Sequence, residues 1–356
     1  MTTSDFPSIL GHYKNLVWPL IESNLKSQVD FPDYCRVNRK YSKLVDYYHQ
    51  IISEYPRRQG KYLRPTLLLL TAQSMGVPLE KSLATAAAMQ VSEDWILNHD
   101  DIEDNSLERR GAPTLHRQIG MELAINAGDA LHLLMWKLLT DNLSHLDPIL
   151  AQQLLYEFFN MINRTTFGQT VELKWTLENR NDLSLEDIFL ILESKTGYYT
   201  IAGPMRLGAI IANATSDQLK DLYDFGVTLG RSFQIVDDLL DLTSDFAGQK
   251  KQQGNDIYEG KKTVMLMHLC QTVSPHDKSR LDSILNRDRQ DKSPADVAWV
   301  IEKMDHYGSL DYGRQLASQF AKEAKDQFDT RLTFLSHEPY RSQLSQAIDF
   351  IIRRKH

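Results

Sequence analysis

Two acidic clusters of identical spacing interrupt apolar stretches of this chain, and no other feature limits its fold as much. Asp100-Asp101-Ile102-Glu103-Asp104 follows Trp95-Ile96-Leu97, and Asp237-Asp238-Leu239-Leu240-Asp241 follows Phe233-Gln234-Ile235-Val236. Both read D-D-x-x-D. On an α-helix, residues four apart lie about 40° off register, so Asp100 and Asp104 share a face, as do Asp237 and Asp241. Clustered carboxylates repel one another, and unpaired charge within an apolar helix is costly. The fold must therefore bring cations to both clusters. Hard oxygen donors without a cysteine or histidine ladder suit Mg2+, which takes one or two carboxylates together with substrate phosphate and water. The implied ligand is a diphosphate. A solvated acidic helix face is the plain reading of one such cluster; two copies in matching apolar settings favour metal.

Each copy also has cations nearby. Arg109-Arg110 follows the first cluster and can fork phosphate oxygens, with Gly111 and Pro113 expected to end the helix. Lys250-Lys251 and Lys261-Lys262 follow the second, on a glycine-bearing loop able to close over an anion. These local cations matter because 40 Lys and Arg against 47 Asp and Glu leave a formal charge of −7, so no global basic field exists to hold nucleic acid. The two cysteines, Cys35 and Cys270, exclude a disulfide framework and fit a reducing compartment.

Apolar residues recur at three- and four-residue spacing, with no alternating runs between Gly/Asn turns, which predicts an all-α chain. The helical candidates are Leu67–Gln73, Leu83–His99, Ala124–Asn142, Ile149–Phe167, Leu185–Leu192, Gln218–Leu242, Val264–Cys270, Asp296–Met304 and Leu310–Leu332. Ser184 before Asp187 and Ser293-Pro294 before Asp296 read as helix starts. At roughly 150 residues per domain the 356 residues allow two domains or one large core. No Pro/Gly/Ser linker appears, so a single domain over 1–356 is expected, with an N-terminal extension over about 1–40. No apolar run reaches the roughly 18 residues of a spanning helix, and Met1 to Gly11 hold Asp5 without Lys or Arg. The expectation is a cytoplasmic protein with no integral membrane segment.

In order along the chain, Gly60-Lys61-Tyr62-Leu63-Arg64-Pro65, the first D-D-x-x-D with Arg109-Arg110-Gly111, Lys195-Thr196, Gly230-Arg231-Ser232-Phe233-Gln234 with the second D-D-x-x-D, and Gly254-x-Asp256 with Gly260-Lys261 resemble the trans-prenyl diphosphate synthases, the polyprenyl synthetases. This motif-bearing part runs from about 60 to 263. The resemblance implies an isoprenoid-synthase helical bundle around a deep central cavity, and a homodimer. It implies an allylic diphosphate held by three Mg2+ ions on Asp100, Asp104, Asp237 and Asp241, aided by Arg109, Lys195, Lys251 and Lys261. Thr196 and Gln234 would stabilise the allylic cation, while Lys61, Arg64 and Arg110 would hold isopentenyl diphosphate without metal. The released diphosphate would accept the departing proton, leaving His99 and His116 as supports of the motif.

The chain departs from the pattern at Gln59, where a second glycine is usual, and at Glu93, where His or Gln would contact isopentenyl diphosphate. Glu93 lies two turns before Asp100 on nearly one face, and it is expected to pair with Lys61 or Arg64 and orient it. Trp95 and Ile96, five and four residues before Asp100, lie where a large side chain would block the growing prenyl tail. Geranylgeranyl diphosphate (C20) is the expected product. Farnesyl diphosphate synthase, a class I terpene cyclase and a noncatalytic synthase subunit are the alternatives.

Overall fold

The computed structural model describes residues 5–243 and 253–352. Lys251 and the basic end Arg353–His356 lie outside the described residues. In chain order the helices are α1 (Phe6–Ser27), α2 (Ser42–Arg57), α3 (Leu63–Ser74), α4 (Leu83–Glu103), α5 (Leu115–Ile119), α6 (Met121–Thr140), α7 (Pro148–Leu177) and α8 (Leu185–Leu192). After a π-helical segment (Glu193–Ala202) come α9 (Gly203–Ile211), α10 (Ser216–Thr243), α11 (Asn255–Glu259), α12 (Val264–Thr272), α13 (Pro275–Leu285), α14 (Pro294–His306), α15 (Ser309–Thr330) and α16 (Tyr340–Ile352). One two-residue hairpin, β1 (Glu108–Arg109) with β2 (Ala112–Pro113), joins α4 to α5. No helix among the described residues is long and apolar enough to cross a membrane.

Both expected helix starts are capping boxes. Ser184 Oγ accepts from the Asp187 N–H at 3.2 Å and Asp187 Oδ2 accepts from the Ser184 N–H at 2.8 Å; Ser293 and Asp296 repeat the exchange at 3.2 and 3.1 Å. Each box satisfies amide groups that a helix start leaves without intrahelical partners. The N-terminal extension is a helix. Asp5 caps α1 through the Ser8 N–H, and Phe6, Ile9, Leu10, Tyr13, Val17, Ile21 and Leu25 form its buried stripe.

Contacts gather into two compact units. The first comprises Met1–Glu157, Pro204–Thr215 and Leu335–Gln346; the second comprises Phe158–Gly203, Ser216–Phe334 and Ala347–His356. In the first, α1 and α3 pack on α4, and α4 packs on α6. The completely buried Ala86, Ala87 and Ala88 give α4 the slim profile for that packing, and Leu67 to Leu70 of α3 are buried all round, as a core helix requires.

In the second unit α10 packs between α15 and the π segment, with Ile235, Leu239, Leu242, Met265, Leu269 and Phe320 in its core. The sequence periodicity ends at Leu192, whereas the helical path continues through the π turns to Ile211. Glycine explains how the π segment lies on α10: a Cβ on Gly230 would fall 2.3 Å from Gly197 Cα, and one on Gly226 would fall 2.4 Å from Ala202 Cα. The obstruction is backbone, which cannot rotate away. Gly230→Ala is therefore expected to destabilise the protein by roughly 1–3 kcal/mol in chemical denaturation, whereas Gly11→Ala, with nothing within 4 Å of the new methyl, should be neutral or slightly stabilising.

Candidate active site

The first acidic cluster occupies the last turn of α4. Asp104 is its C-cap and donates its backbone N–H to the Asp100 carbonyl at 2.9 Å, so the turn that pairs the two aspartates is intact. The central Asp101 serves another purpose. It is 0% exposed and accepts from Arg109 Nε at 2.9 Å, from Arg109 Nη2 at 2.5 Å and from the Tyr55 hydroxyl at 2.5 Å. Burial pulls the Arg109 pKa down, but the hydrogen bonds and charge of Asp101 outweigh it and hold the guanidinium above its ordinary range. Arg109 Nη2 also lies 3.8 Å from Asp100 Oδ2.

The helix does not run on to Gly111 and Pro113 as expected; it ends at Glu103, and those residues belong to the hairpin. Its turn is Arg110-Gly111, with φ of 52° and 77°, the left-handed pair that matches strand twist in a two-residue connection. Arg58 staples the hairpin by donating to the Arg109 carbonyl at 3.0 Å and the Pro113 carbonyl at 2.8 Å. The two arginines are thereby sent to different partners. Arg110 reaches Asp94 Oδ1 at 2.7 Å and Glu93 Oε1 at 3.3 Å, while Glu93 Oε2 meets Arg64 Nη1 at 3.1 Å.

Of its two expected partners Glu93 takes Arg64, and it adds Arg110, which sequence reasoning did not foresee. Asp94, also unforeseen, is pushed up to about 6 by burial, with Arg110 opposing and Glu93 adding to the shift. Lys61 is exposed at the start of the same segment. A Cβ on Gly60 would fall 2.6 Å from Arg110 Nη2, so this glycine admits the guanidinium.

Trp95 is 9% exposed and stacks on His132 of α6, ring centroids 4.1 Å apart and planes 12° apart. His132 Nε2 accepts from Trp136 Nε1 at 2.8 Å, so the indole is braced by a second aromatic layer absent from the sequence reading. Ile96 is half-buried. His99 Nε2 lies 3.3 Å from the Ile125 carbonyl and 3.8 Å from Asp129, and His116 is pulled below the usual histidine range by burial.

In the second unit, the second cluster ends α10. Thr196 Oγ1 donates to Gln234 Oε1 at 2.7 Å, and Gln234 Nε2 donates to Asp238 at 2.8 Å. This chain fixes the amide and turns the lone pairs of the Thr196 hydroxyl away from its own hydrogen bond. Asp241 Oδ2 accepts from the Asp256 N–H at 3.0 Å. Lys261 Nζ lies 2.9 Å from Glu259 and 3.7 Å from Asp256, Lys195 pairs with Glu172, and Arg231 pairs with Glu193. Asp237 completes the motif on α10.

Burial and the charge of Asp256 raise Asp238; burial raises Asp241; and burial, with Asp241 and Glu259, lifts Asp256 to about 7 against the pull of Lys261. Carboxylates so held are short of positive charge, and a divalent cation would supply it. No group of three or more His, Cys, Asp or Glu side chains among the described residues is arranged around one point. The paired carboxylates fit Mg2+ completing its shell with phosphate oxygens and water.

The left-handed Gln59, φ 43°, shows the cost of the missing glycine, since a side chain there is strained. Gln59→Gly is expected to stabilise the protein by about 0.5–1 kcal/mol, read as a higher denaturation midpoint at unchanged slope.

A family model described as polyprenyl synthetase matches residues 45–304. The geranylgeranyl diphosphate synthase of Sulfolobus acidocaldarius is 33% identical over 301 residues, which span 83% of this chain and 87% of that protein. Geranylgeranyl pyrophosphate synthetase from Pyrococcus horikoshii superposes with a TM-score of 0.82 at 27% identity over 98% of this chain and 99% of that one. Geranylgeranyl pyrophosphate synthase from Corynebacterium glutamicum, complexed with isoprenyl diphosphate and magnesium, superposes at 0.84 with 25% identity over 98% and 99% of the two chains.

Proposed function

The chain belongs to the polyprenyl synthetase family, and on that premise we propose that it is a cytoplasmic short-chain synthase joining an allylic diphosphate to isopentenyl diphosphate, with geranylgeranyl diphosphate as main product. The single observation that carries the reading is the crowding of carboxylates where α11 meets the end of α10, with the Asp256 N–H donating to Asp241 at 3.0 Å and Asp238, Asp241 and Asp256 all raised by burial, in a chain that repeats the same D-D-x-x-D spacing at the end of α4. Asp100 and Asp104 supply one carboxylate set for Mg2+, and Asp237 and Asp241 supply the other, with three ions when substrate is bound. A metal held by these residues would supply positive charge against the negative charge that develops on the departing diphosphate as the allylic C–O bond ionises.

The protein's own residues do the rest. Lys195 and Lys261, now held by Glu172 and Glu259, exchange these carboxylates for phosphate oxygens, as does the part of Arg109 that faces Asp100; Lys251 joins them. The Thr196 hydroxyl, oriented through Gln234 and Asp238, offers its lone pairs, with the Gln234 oxygen, to the allylic cation. The double bond of isopentenyl diphosphate attacks that cation and the new bond forms. The proton then leaves for the released diphosphate.

Lys61, Arg64 and Arg110 grip the diphosphate of isopentenyl diphosphate. Glu93 positions two of them: by forking Arg64 and Arg110 it sets their planes before substrate arrives, which lowers the ordering cost of binding. The homodimer is part of the same proposal; Leu133 on α6 and Ile149 on α7, 67% and 68% exposed, are apolar side chains that a partner could cover.

Purified protein with Mg2+, isopentenyl diphosphate and, separately, dimethylallyl, geranyl and farnesyl diphosphates should yield C20 by mass spectrometry. Trp95→Ala should lengthen the product if the Trp95–His132 stack limits growth. C15 from the wild-type protein would keep the synthase and reject the length; loss of diphosphate without elongation would indicate a cyclase, and no turnover a noncatalytic subunit. Glu93→His should raise the apparent KM for isopentenyl diphosphate several-fold while leaving that for the allylic substrate within about 2-fold. An unchanged value would reject the positioning role.

A further inference from the structure

Asp94 sits behind the pair of arginines that Glu93 forks. It is 1% exposed, against 13% for the Glu93 side chain and 14% for that of Arg110, and it accepts from Arg110 Nη1 at 2.7 Å. The same guanidinium donates to Glu93 Oε1 and to the Tyr55 carbonyl, both at 3.3 Å, and Glu93 is shared with Arg64 at 3.1 Å. Arg64 and Arg110 are thus matched charge for charge by Glu93 and Asp94. A diphosphate arriving at these arginines meets guanidiniums already neutralised, with two carboxylates beside it.

The two carboxylates differ in how they can yield. Glu93 is partly open and has the longer side chain, so it can swing off its arginines when a stronger anion arrives. Asp94 is enclosed, and drawing Arg110 away from it would strand an ionised carboxylate in a buried setting. A proton would remove that charge in place, and the neighbouring amide suits the neutral acid. Gln90, one turn earlier and 0% exposed, donates Nε2 to Asp94 Oδ1 at 3.5 Å, longer than an ordinary N–H···O bond. Its Oε1 is buried with no hydrogen-bond partner among the described residues. An ionised carboxylate offers that oxygen nothing, whereas a carboxylic acid is a donor, and turning the amide over brings Oε1 to it. The groups that act on Asp94 are Arg110 from the hairpin, Glu93 from α4 itself and Tyr62 at the head of α3. Burial keeps Tyr62 protonated, and its hydroxyl too is buried without a partner among the described residues. Arg64 of α3 acts through Glu93, and α2 contributes the Tyr55 carbonyl to Arg110, the Tyr55 hydroxyl being turned to Asp101.

We infer that Asp94 takes up a proton from solvent as the diphosphate of isopentenyl diphosphate reaches Arg110, so that this site binds the substrate and one proton together. The inference rests on the proposed placement of that substrate at Arg64 and Arg110. Before binding, burial holds the carboxyl at about 6, with Arg110 opposing and Glu93 adding to the shift. An anion on the same guanidinium weakens the opposing pull and raises the carboxyl further. Near neutral pH the group therefore passes from mostly ionised to mostly neutral on binding. Arg110 keeps its anchor throughout, because a neutral carboxyl still accepts through its carbonyl oxygen.

The test binds isopentenyl diphosphate to the metal-free full-length protein, without allylic substrate, by calorimetry at pH 7 in buffers of different ionisation enthalpy. Wild type is compared with Asp94→Asn. The ligand's own ionisation is common to both, so the difference counts the proton at Asp94. Wild type should take up at least about half a proton more per ligand than Asp94→Asn. Asparagine keeps an oxygen for Arg110 and lacks the charge, so the variant should bind about 10-fold or more tightly than wild type at pH 8, a gap narrowing to about 2-fold at pH 6. A merely structural role for Asp94 would instead weaken binding at every pH. Infrared difference spectra of wild type alone keep the test decisive if the variant misfolds: a protonated-carboxyl carbonyl band should grow on binding. Equal proton uptake, or no such band, would overturn the inference and leave the substrate site standing. No binding by wild type would reject the substrate site, and the inference with it.

Discussion

A carboxylate at the C-terminal end of a helix sits at the pole that already carries partial negative charge. Here two helices end that way: α4 closes on Asp100, Asp101 and Asp104, and α10 on Asp237, Asp238 and Asp241. Such an arrangement raises the energy of the protein without cations, and much of the surrounding structure answers to it. The hairpin after α4 turns through two left-handed residues and delivers Arg109 to Asp101. The left-handed Gly254 opens α11, which supplies the Asp256 N–H to Asp241, and Lys261 follows it toward Asp256.

The two ends are answered differently. At α4 the innermost aspartate is neutralised by an arginine fork and a tyrosine hydroxyl, leaving Asp100 and Asp104 as the outward pair. At α10 the innermost aspartate, among the described residues, accepts a side-chain hydrogen bond only from the neutral Gln234 amide, so no arginine fork offsets its burial. The same contrast extends to the cations expected to bind diphosphate. Arg64, Arg110, Lys195 and Lys261 each rest on a carboxylate, which keeps long side chains ordered and half-desolvated groups paired until a stronger anion arrives.

What the sequence makes visible follows the range of the interactions. The i, i+4 aspartate pairs and the two capping boxes are local, and all appear where spacing places them. The partners Tyr55, Asp94, Arg58 and Glu172 are not local: Tyr55 and Asp101 are 46 residues apart and Arg58 and Arg109 are 51, and nothing in either neighbourhood announces the other. The π segment escapes a reading based on 3.6-residue periodicity, because its wider turns shift every side chain off that phase. Helix α1 was hidden by polar residues and Pro19 on the faces that its buried stripe does not use. Glu93 was visible as an oddity; its meaning required Arg110, brought close by a hairpin whose strands are too short to read.

The glycine-to-glycine contact of α10 with the π segment bears on how such a protein can change by exchange of parts. Thr196 and Gln234 meet only because two backbones touch at Gly197 and Gly230 without side chains between them. Neither helix holds half of that geometry in a transferable form. A chimera that received α10 from a distant relative, but kept its own residues 193–202, would inherit every side chain of the motif and still set the hydroxyl and the amide at the wrong separation. The two segments therefore behave as one heritable piece, although 38 residues separate their hydrogen-bonded side chains in the chain.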